Sequence, residues 1–401
     1  MMLSTTLKKV ITSYHHPTLQ NSLLRSISST TLTLSPQLPP APEGFIHISI
    51  AQAQSTTKQA LQKIGWDETD ASLQAEIMTC AELCGNNQGL VKMYQPALMA
   101  PSPDYAGKPI TERETSTSAV INANQSPGML AAITAADLAA EKVSKGENDN
   151  GPISIVSSYN SSTSSGQLAF YVERMARKGL IGIAFANSPE FVAAAPGGKA
   201  VFGTNPLAVG IPARRSDTND DDSTTANQPF TFDMATSAIA LFGVLSAKAK
   251  NEPLPPNVAY AKDGSMTTDA TEALEGGGAI ATFGGHKGAG LALCVELLAG
   301  ALSGGAVLGQ VESKKVAKSW GHTFIAIRPE DLVDDYDEKV GSILETVKAS
   351  GGGGGENGLV RIPGENSAKI AAERRAVGYM PIPIQIWESI VETSQHGLPG
   401  K

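Results

Sequence analysis

ISIVSSYNSSTSSGQLAFYVERMARKGLIGIAFA, residues 153–186, decides the class of fold. Its first six residues and its last seven, LIGIAFA at 180–186, are short apolar runs of strand length. Between them YNSSTSSG is a hydroxyl-rich loop, and Leu168, Tyr171, Val172 and Met175 then recur on one helical face until Gly179. A strand, a loop, a helix and a second strand in so short a span need a crossover. The two strands are therefore expected to pair in parallel within an α/β protein.

Outward from this unit the pattern stays mixed. FIHISI at 45–50 reads as a strand, AQAQSTTKQALQKIG as a helix ending at Gly65, and WDETDASLQAEIMTCAELCG as a helix capped by Asp67 and closed by Gly85. SPGMLAAITAADLAAEKVSKG is a third helix, ending at Gly146. Residues 1–42 are rich in Ser, Thr and Leu, carry Lys8, Lys9 and Arg25, and have no acid before Glu43. That composition is expected of an organelle transit peptide, for the mitochondrial matrix or alternatively the plastid stroma. Residues 43–398 are expected to form a single catalytic unit. Removing the leader's three cations takes the formal charge from -8 to -11, so nucleic acid is not an expected partner. No run approaches the roughly 18 apolar residues of a membrane span. Cys80, Cys84 and Cys294 are expected to pack in the core, with no disulfide framework and no metal site.

The segments 216–228 and 350–358 read as loops. Gly353, Gly355 and Gly358 in the second satisfy G-x-G-x-x-G, but they follow a helical pattern and precede an extended LVRIPGE, the reverse of a dinucleotide fingerprint. FGGHKGAG at 283–290 reads either as an anion cradle, with Lys287 beside a helix N-terminus, or as glycines that only permit tight packing. FTFDMATS places Asp233 at a strand end and Thr236 and Ser237 at an expected helix start, and two glycine turns flank Asn205 and Pro206. Three such loops point to one extended polar ligand. Glu296, inside an apolar helix, reads as a hydrogen-bonded structural carboxylate.

GLIGIAFANSPEFVAAAPGGKAVFGTNPLAVGIP, FDMATSAIA, FGGHKGAGLALCVELLAGALSG and RIPGE, in that order and spacing, resemble the type-2 malate/L-lactate dehydrogenase family over roughly residues 45–395. The resemblance implies a mixed-sheet α/β fold that is not the standard Rossmann fold, a homodimer, and an NAD- or NADP-dependent oxidoreductase. Its small-molecule substrate would be a 2-oxo or 2-hydroxy acid or a related imine. It divides the unit into a helical part at 43–110 near the substrate, a cofactor-binding core at 111–310 and a closing part at 311–398. It also implies cofactor contacts at Asp233, Met234, Ala235, Thr236 and Ser237, at His286 and Lys287, and at Gly364 and Glu365. Thr163, Ser164, Asn205 and Pro206 join them as candidates from the adjoining loops.

Two loops depart from the family pattern. Gln88 and Lys92 stand in CGNNQGLVKMY where the family's proton-donating histidine and carboxylate-binding arginine are expected, and a second family histidine falls in YNSSTSSG, which holds only Ser and Thr. Glutamine cannot transfer a proton, so another group is required. Lys92 is favoured as donor and substrate anchor. Tyr94, beside the substrate, and a water held by Gln88 are the alternatives, with Tyr159 and Thr163 further out. A homologue that binds cofactor without turnover is the competing expectation.

Overall fold

The computed structural model describes residues 40–86, 88–144, 150–213, 228–308, 310–311, 319–351 and 360–398. Most of the leader, the acidic stretch before Gln228 and the Gly353–Gly358 pattern lie outside them. The described residues from Ala41 onward cluster as one compact unit. Strand β1 (Phe45–Ser49) leads into α1 (Ile50–Lys63), where Ser49 caps the amide of Gln52. Helix α2 (Glu68–Leu83) starts, as its sequence requires, with the Asp67 carboxylate accepting from the Asp70 amide at 2.8 Å. Two 3₁₀ turns follow, Leu90–Tyr94 and Pro96–Met99.

A seven-stranded sheet forms the frame. Its first strands are β2 (Ile110–Glu114), β3 (Ser118–Asn122) and, after α3 (Gly128–Lys142), β4 (Ile153–Ser161). Helix α4 (Ala169–Arg177) then crosses to β5 (Ile181–Ala186). The expected apolar face of α4 is buried: Leu168, Tyr171, Val172 and Met175 all join the main core. Gly128 opens α3 against the 163–165 loop so closely that a Cβ there would meet the Thr163 carbonyl oxygen at 2.0 Å.

Beyond β5 come β6 (Val192–Ala193), β7 (Ala200–Phe202), β8 (Leu207–Ile211) and β9 (Phe230–Met234), then α5 (Leu241–Lys250), β10 (Ala259–Tyr260), α6 (Ala270–Leu274) and β11 (Ala279–Ala281). Helix α7 (His286–Val295) continues as a π-helical segment, Glu296–Ala301. The remaining elements are β12 (Trp320–Ile327), α8 (Tyr336–Ala349), α9 (Glu365–Val377), β13 (Tyr379–Pro383) and α10 (Ile384–His396).

The sheet order is β2-β3-β4-β12-β5-β8-β9. This corrects the expected direct pairing of β4 with β5. They run in the same direction but are separated by β12, which is antiparallel to both. The physical reason is that the crossover leaves a strand-wide gap, and the apolar β12, separated from β5 by the 133 residues 187–319, satisfies both exposed edges. Only β3 and β4 pair in parallel within this sheet. A smaller sheet, β10-β11-β6-β7, carries its own core around Val192, Phe202, Val244 and Ile280. No helix of the described residues is long and apolar enough to cross a membrane.

The cysteine expectation also needs correction. It fails at Cys294, which is exposed because α7 turns it outward, whereas Cys80 and Cys84 are half-buried beside a cavity and Cys84 packs against the main core. All three are free thiols.

Candidate active site

A cavity of about 520 Å³ opens between the 88–99 turns, the 163–168 loop and the start of α5. Its floor holds Lys92, 2% exposed, which the first 3₁₀ turn points inward. The Lys92 ammonium lies 4.5 Å from the centre of the Phe242 ring and donates to the Gln88 Oε1 at 3.5 Å. Removal from water lowers its pKa from the ordinary lysine range to about 7. An amine so poised exists in both protonation states near neutral pH, as proton transfer requires.

Asp233, near the end of β9, also lines this cavity. Burial pushes its pKa up to about 6, against the amides of Leu168 and Ala169, which favour the ionised form. The Ala169 amide donates to Asp233 Oδ2 at 2.8 Å, tying β9 to the N-terminus of α4. Lys92 and Asp233 are the only charged side chains among the described residues lining this cavity.

Two neighbouring cavities adjoin it. One, of about 330 Å³, shares Asn86, Gln95, Phe242 and Leu245 with the first. The other, about 790 Å³ and more polar, shares Asn86, Gln167 and Asp233 and extends past Gly364 and Arg375. Asn86 lines all three. The arrangement is a branched cleft suited to a ligand longer than one cavity.

The structure brings together part of the expected site. Gln88, Lys92, Thr163, Ser164, Pro206, Asp233, Met234 and Ala235 all line the first cavity. The Thr163 hydroxyl also accepts from the Gly128 amide at 3.1 Å. Gly364 lines the polar branch and Tyr94 the smaller apolar one.

Other expected contacts are placed elsewhere. Asn205 is fully buried, and its Nδ2 donates to Glu296 Oε2 at 2.9 Å; Glu296 Oε1 accepts from the Leu308 amide, so this pair locks a loop to α7. Thr236 Oγ1 donates to the Asn205 carbonyl and Ser237 Oγ to that of Ile239, so both hydroxyls serve the backbone and line none of the three cavities. The helix expected to start there begins at Leu241. Glu365 pairs with Lys348 at 2.5 Å. Tyr159 donates to Glu112 at 2.8 Å, away from the cavities.

The glycine loop at 283–290 does meet the 236–238 stretch, through the Phe283 amide to the Thr236 carbonyl and a bridge between Ser237 and Thr282. His286 and Lys287 nevertheless point outward from the start of α7, exposed, and line none of the three cavities. Gly284 and Gly285, both with positive φ, turn the chain so that the first helical side chains face solvent. Sequence reading missed Asn86, Phe242 and Trp320, which line the first cavity. No local pattern marks them, since Phe242 reaches Lys92 only through the tertiary fold.

A profile of the family described as malate/L-lactate dehydrogenase matches residues 48–391. The chain belongs to this family. L-sulfolactate dehydrogenase of Methanothermobacter thermautotrophicus is 32% identical over 356 residues, 86% of this chain and 95% of that protein. Over a shorter stretch of 133 residues, 33% of this chain and 36% of its counterpart, Δ1-pyrroline-2-carboxylate reductase of Pseudomonas fluorescens is 47% identical. The crystal structure of malate dehydrogenase from Entamoeba histolytica has a TM-score of 0.76 at 27% identity, with 88% of this chain and 99% of that chain covered. The mixed, largely antiparallel sheet is thus the malate/L-lactate dehydrogenase family's fold and not a standard Rossmann fold.

Proposed function

We propose that this protein is an NAD(P)-dependent oxidoreductase that transfers a hydride to or from C2 of a small 2-oxo or 2-hydroxy acid, or of a related cyclic imine. The observation that carries the reading is the buried, titratable Lys92 at the floor of the branched cleft, within reach of Gln88. A bound reduced nicotinamide supplies the hydride. Thr163, Ser164, Pro206 and Asp233–Ala235 would hold its ring end and Gly364 the polar branch; Gly364 fits this role because its left-handed backbone, φ 90, brings the chain against β9 without a side chain.

Lys92 anchors the substrate carboxylate when charged and delivers the proton that the C2 oxygen or nitrogen takes on reduction. The first turn of α5, whose Ala240, Leu241 and Phe242 line the cavity, adds amide N–H groups without intrahelical acceptors on the same side. Gln88 occupies the position of the family's histidine and orients the Lys92 ammonium. Oxidation of NADH and NADPH with a panel of oxo acids and cyclic imines tests the proposal. Binding of either cofactor without turnover of any panel member rejects it in favour of a non-catalytic homologue.

We further propose a homodimer that buries the outer face of α7. Leu291, Leu293, Leu297 and Leu302 are 37–55% exposed along one continuous helical run, an apolar surface of the kind that marks an interface. Leu293→Asp with Leu297→Asp should convert a dimer to a monomer in light scattering; an unchanged mass places the interface elsewhere. The leader is proposed to direct the chain to the mitochondrial matrix, with the plastid stroma as the alternative, and to be removed near residue 40. Terminal sequencing of the native protein tests this, and a native chain starting at Met1 rejects it.

A further inference from the structure

The lining of the first cavity narrows the substrate. One cation, Lys92, and one carboxylate, Asp233, are the charged side chains the described residues present to it. Beside the Gln88 amide, Lys92 faces hydrocarbon: the Phe242 ring lies 4.5 Å from the ammonium, and Leu241, Leu245, Leu274 and Phe191 are among the apolar residues lining the same cavity. A carboxylate paired with Lys92 therefore has an apolar surface alongside it, with Asp233 as the other charge in the cavity.

We propose that the substrate is a monocarboxylate, a planar 2-oxo or cyclic 2-imino acid whose remaining carbons are apolar, and that dicarboxylates and sulfonates are excluded. The inference rests on the oxidoreductase reading above. A second carboxylate or a sulfonate would lose its water without gaining a second cation from the described residues, which is strongly unfavourable in a buried site. Each methylene of an apolar arm that the wall takes from water favours binding. Arg374, the guanidinium bordering the adjoining apolar branch, does not line this cavity and donates to the main-chain carbonyls of Glu82 and Leu83.

Steady-state kinetics on the full chain, with both reduced cofactors, should give kcat/KM values for 2-oxovalerate or Δ1-pyrroline-2-carboxylate at least 100-fold above those for oxaloacetate and 3-sulfopyruvate. Which monocarboxylate is best distinguishes an oxo acid from an imine. Leu98→Arg, which places a cation at the exposed rim of the cavity, should raise kcat/KM for oxaloacetate at least tenfold. A binding measurement separates this inference from the enzymatic reading: pyrrole-2-carboxylate should raise the melting temperature, and malate should not. Oxaloacetate or 3-sulfopyruvate reduced within tenfold of the best monocarboxylate would overturn the proposal and leave the oxidoreductase reading intact. No reduction of any acid, with pyrrole-2-carboxylate bound and malate rejected, would keep the pocket assignment and overturn the enzymatic one; binding of neither overturns both.

Discussion

Lys92→Met is expected to lower kcat/KM for reduction by about 10² to 10⁴, the usual worth of a positioned proton donor, while raising the melting temperature by several degrees. Both effects have one cause. The amine is buried against Phe242 with its pKa depressed to about 7, so the fold holds a group that water would keep protonated. Unfolded, the amine binds its proton below about 10.4. Folded, it does so only below about 7. Between those values the unfolded state carries the extra proton, and the native state loses stability as pH falls from about 10 to about 7. The stability gap between Lys92→Met and the parent should therefore widen over that window, as melting at several pH values will reveal.

Catalysis has the opposite requirement. Reduction needs protonated Lys92, so kcat/KM should decline as pH rises through about 7, and oxidation of the hydroxy acid should gain over the same range. Lys92→Arg keeps the anchor but does not titrate, and it should be as inactive as Lys92→Met; an active arginine variant would move the proton donor to a water held by Gln88. Because Gln88 Oε1 is 3.5 Å from the ammonium, Gln88→His in the Lys92→Met background should recover part of the lost rate by delivering a proton to the same place.

Asp233→Ala is expected to cost about 1–3 kcal/mol of stability, since the Ala169 amide at the start of α4 loses its acceptor. Asp233→Asn keeps an acceptor and isolates the charge. With its folded pKa pushed up to about 6, against about 3.9 unfolded, Asp233 contributes stability that is fully present below about pH 4 and lost as pH rises through about 6. Asp233→Asn should therefore gain on the parent between pH 4 and pH 7 in chemical denaturation, and a constant difference across that range would show that Asp233 does not titrate there. Cofactor affinity gives a second readout, because Asp233 borders both the substrate cavity and its polar branch; both variants should weaken NAD(P)H binding in a fluorescence titration.

What was legible in the sequence had local causes. The Asp67 cap, the positive-φ Gly85 after α2, and the buried stripe Leu168, Tyr171, Val172 and Met175 depend on residues within a turn or two of one another. The hydrogen-bonded role of Glu296 was legible too, because a carboxylate on an otherwise apolar helix must find donors. The ordered motifs that carried the family resemblance are likewise a property of the chain alone.

The rest was decided by contacts between distant segments. Nothing in residues 153–186 specifies that β12 lies between β4 and β5, because a strand edge accepts any segment with a compatible pleat and the choice is made by what else the sheet must cover. The loop glycines around Asn205 and His286 announced close approach but not its direction: one side chain turned inward to Glu296 and the other outward to solvent. Lys92 could be named from its position in a motif, but its chemistry was set by Phe242, 150 residues away, and by removal from water. A side chain's burial and charge partners belong to the packed fold, whereas periodicity and capping belong to the sequence.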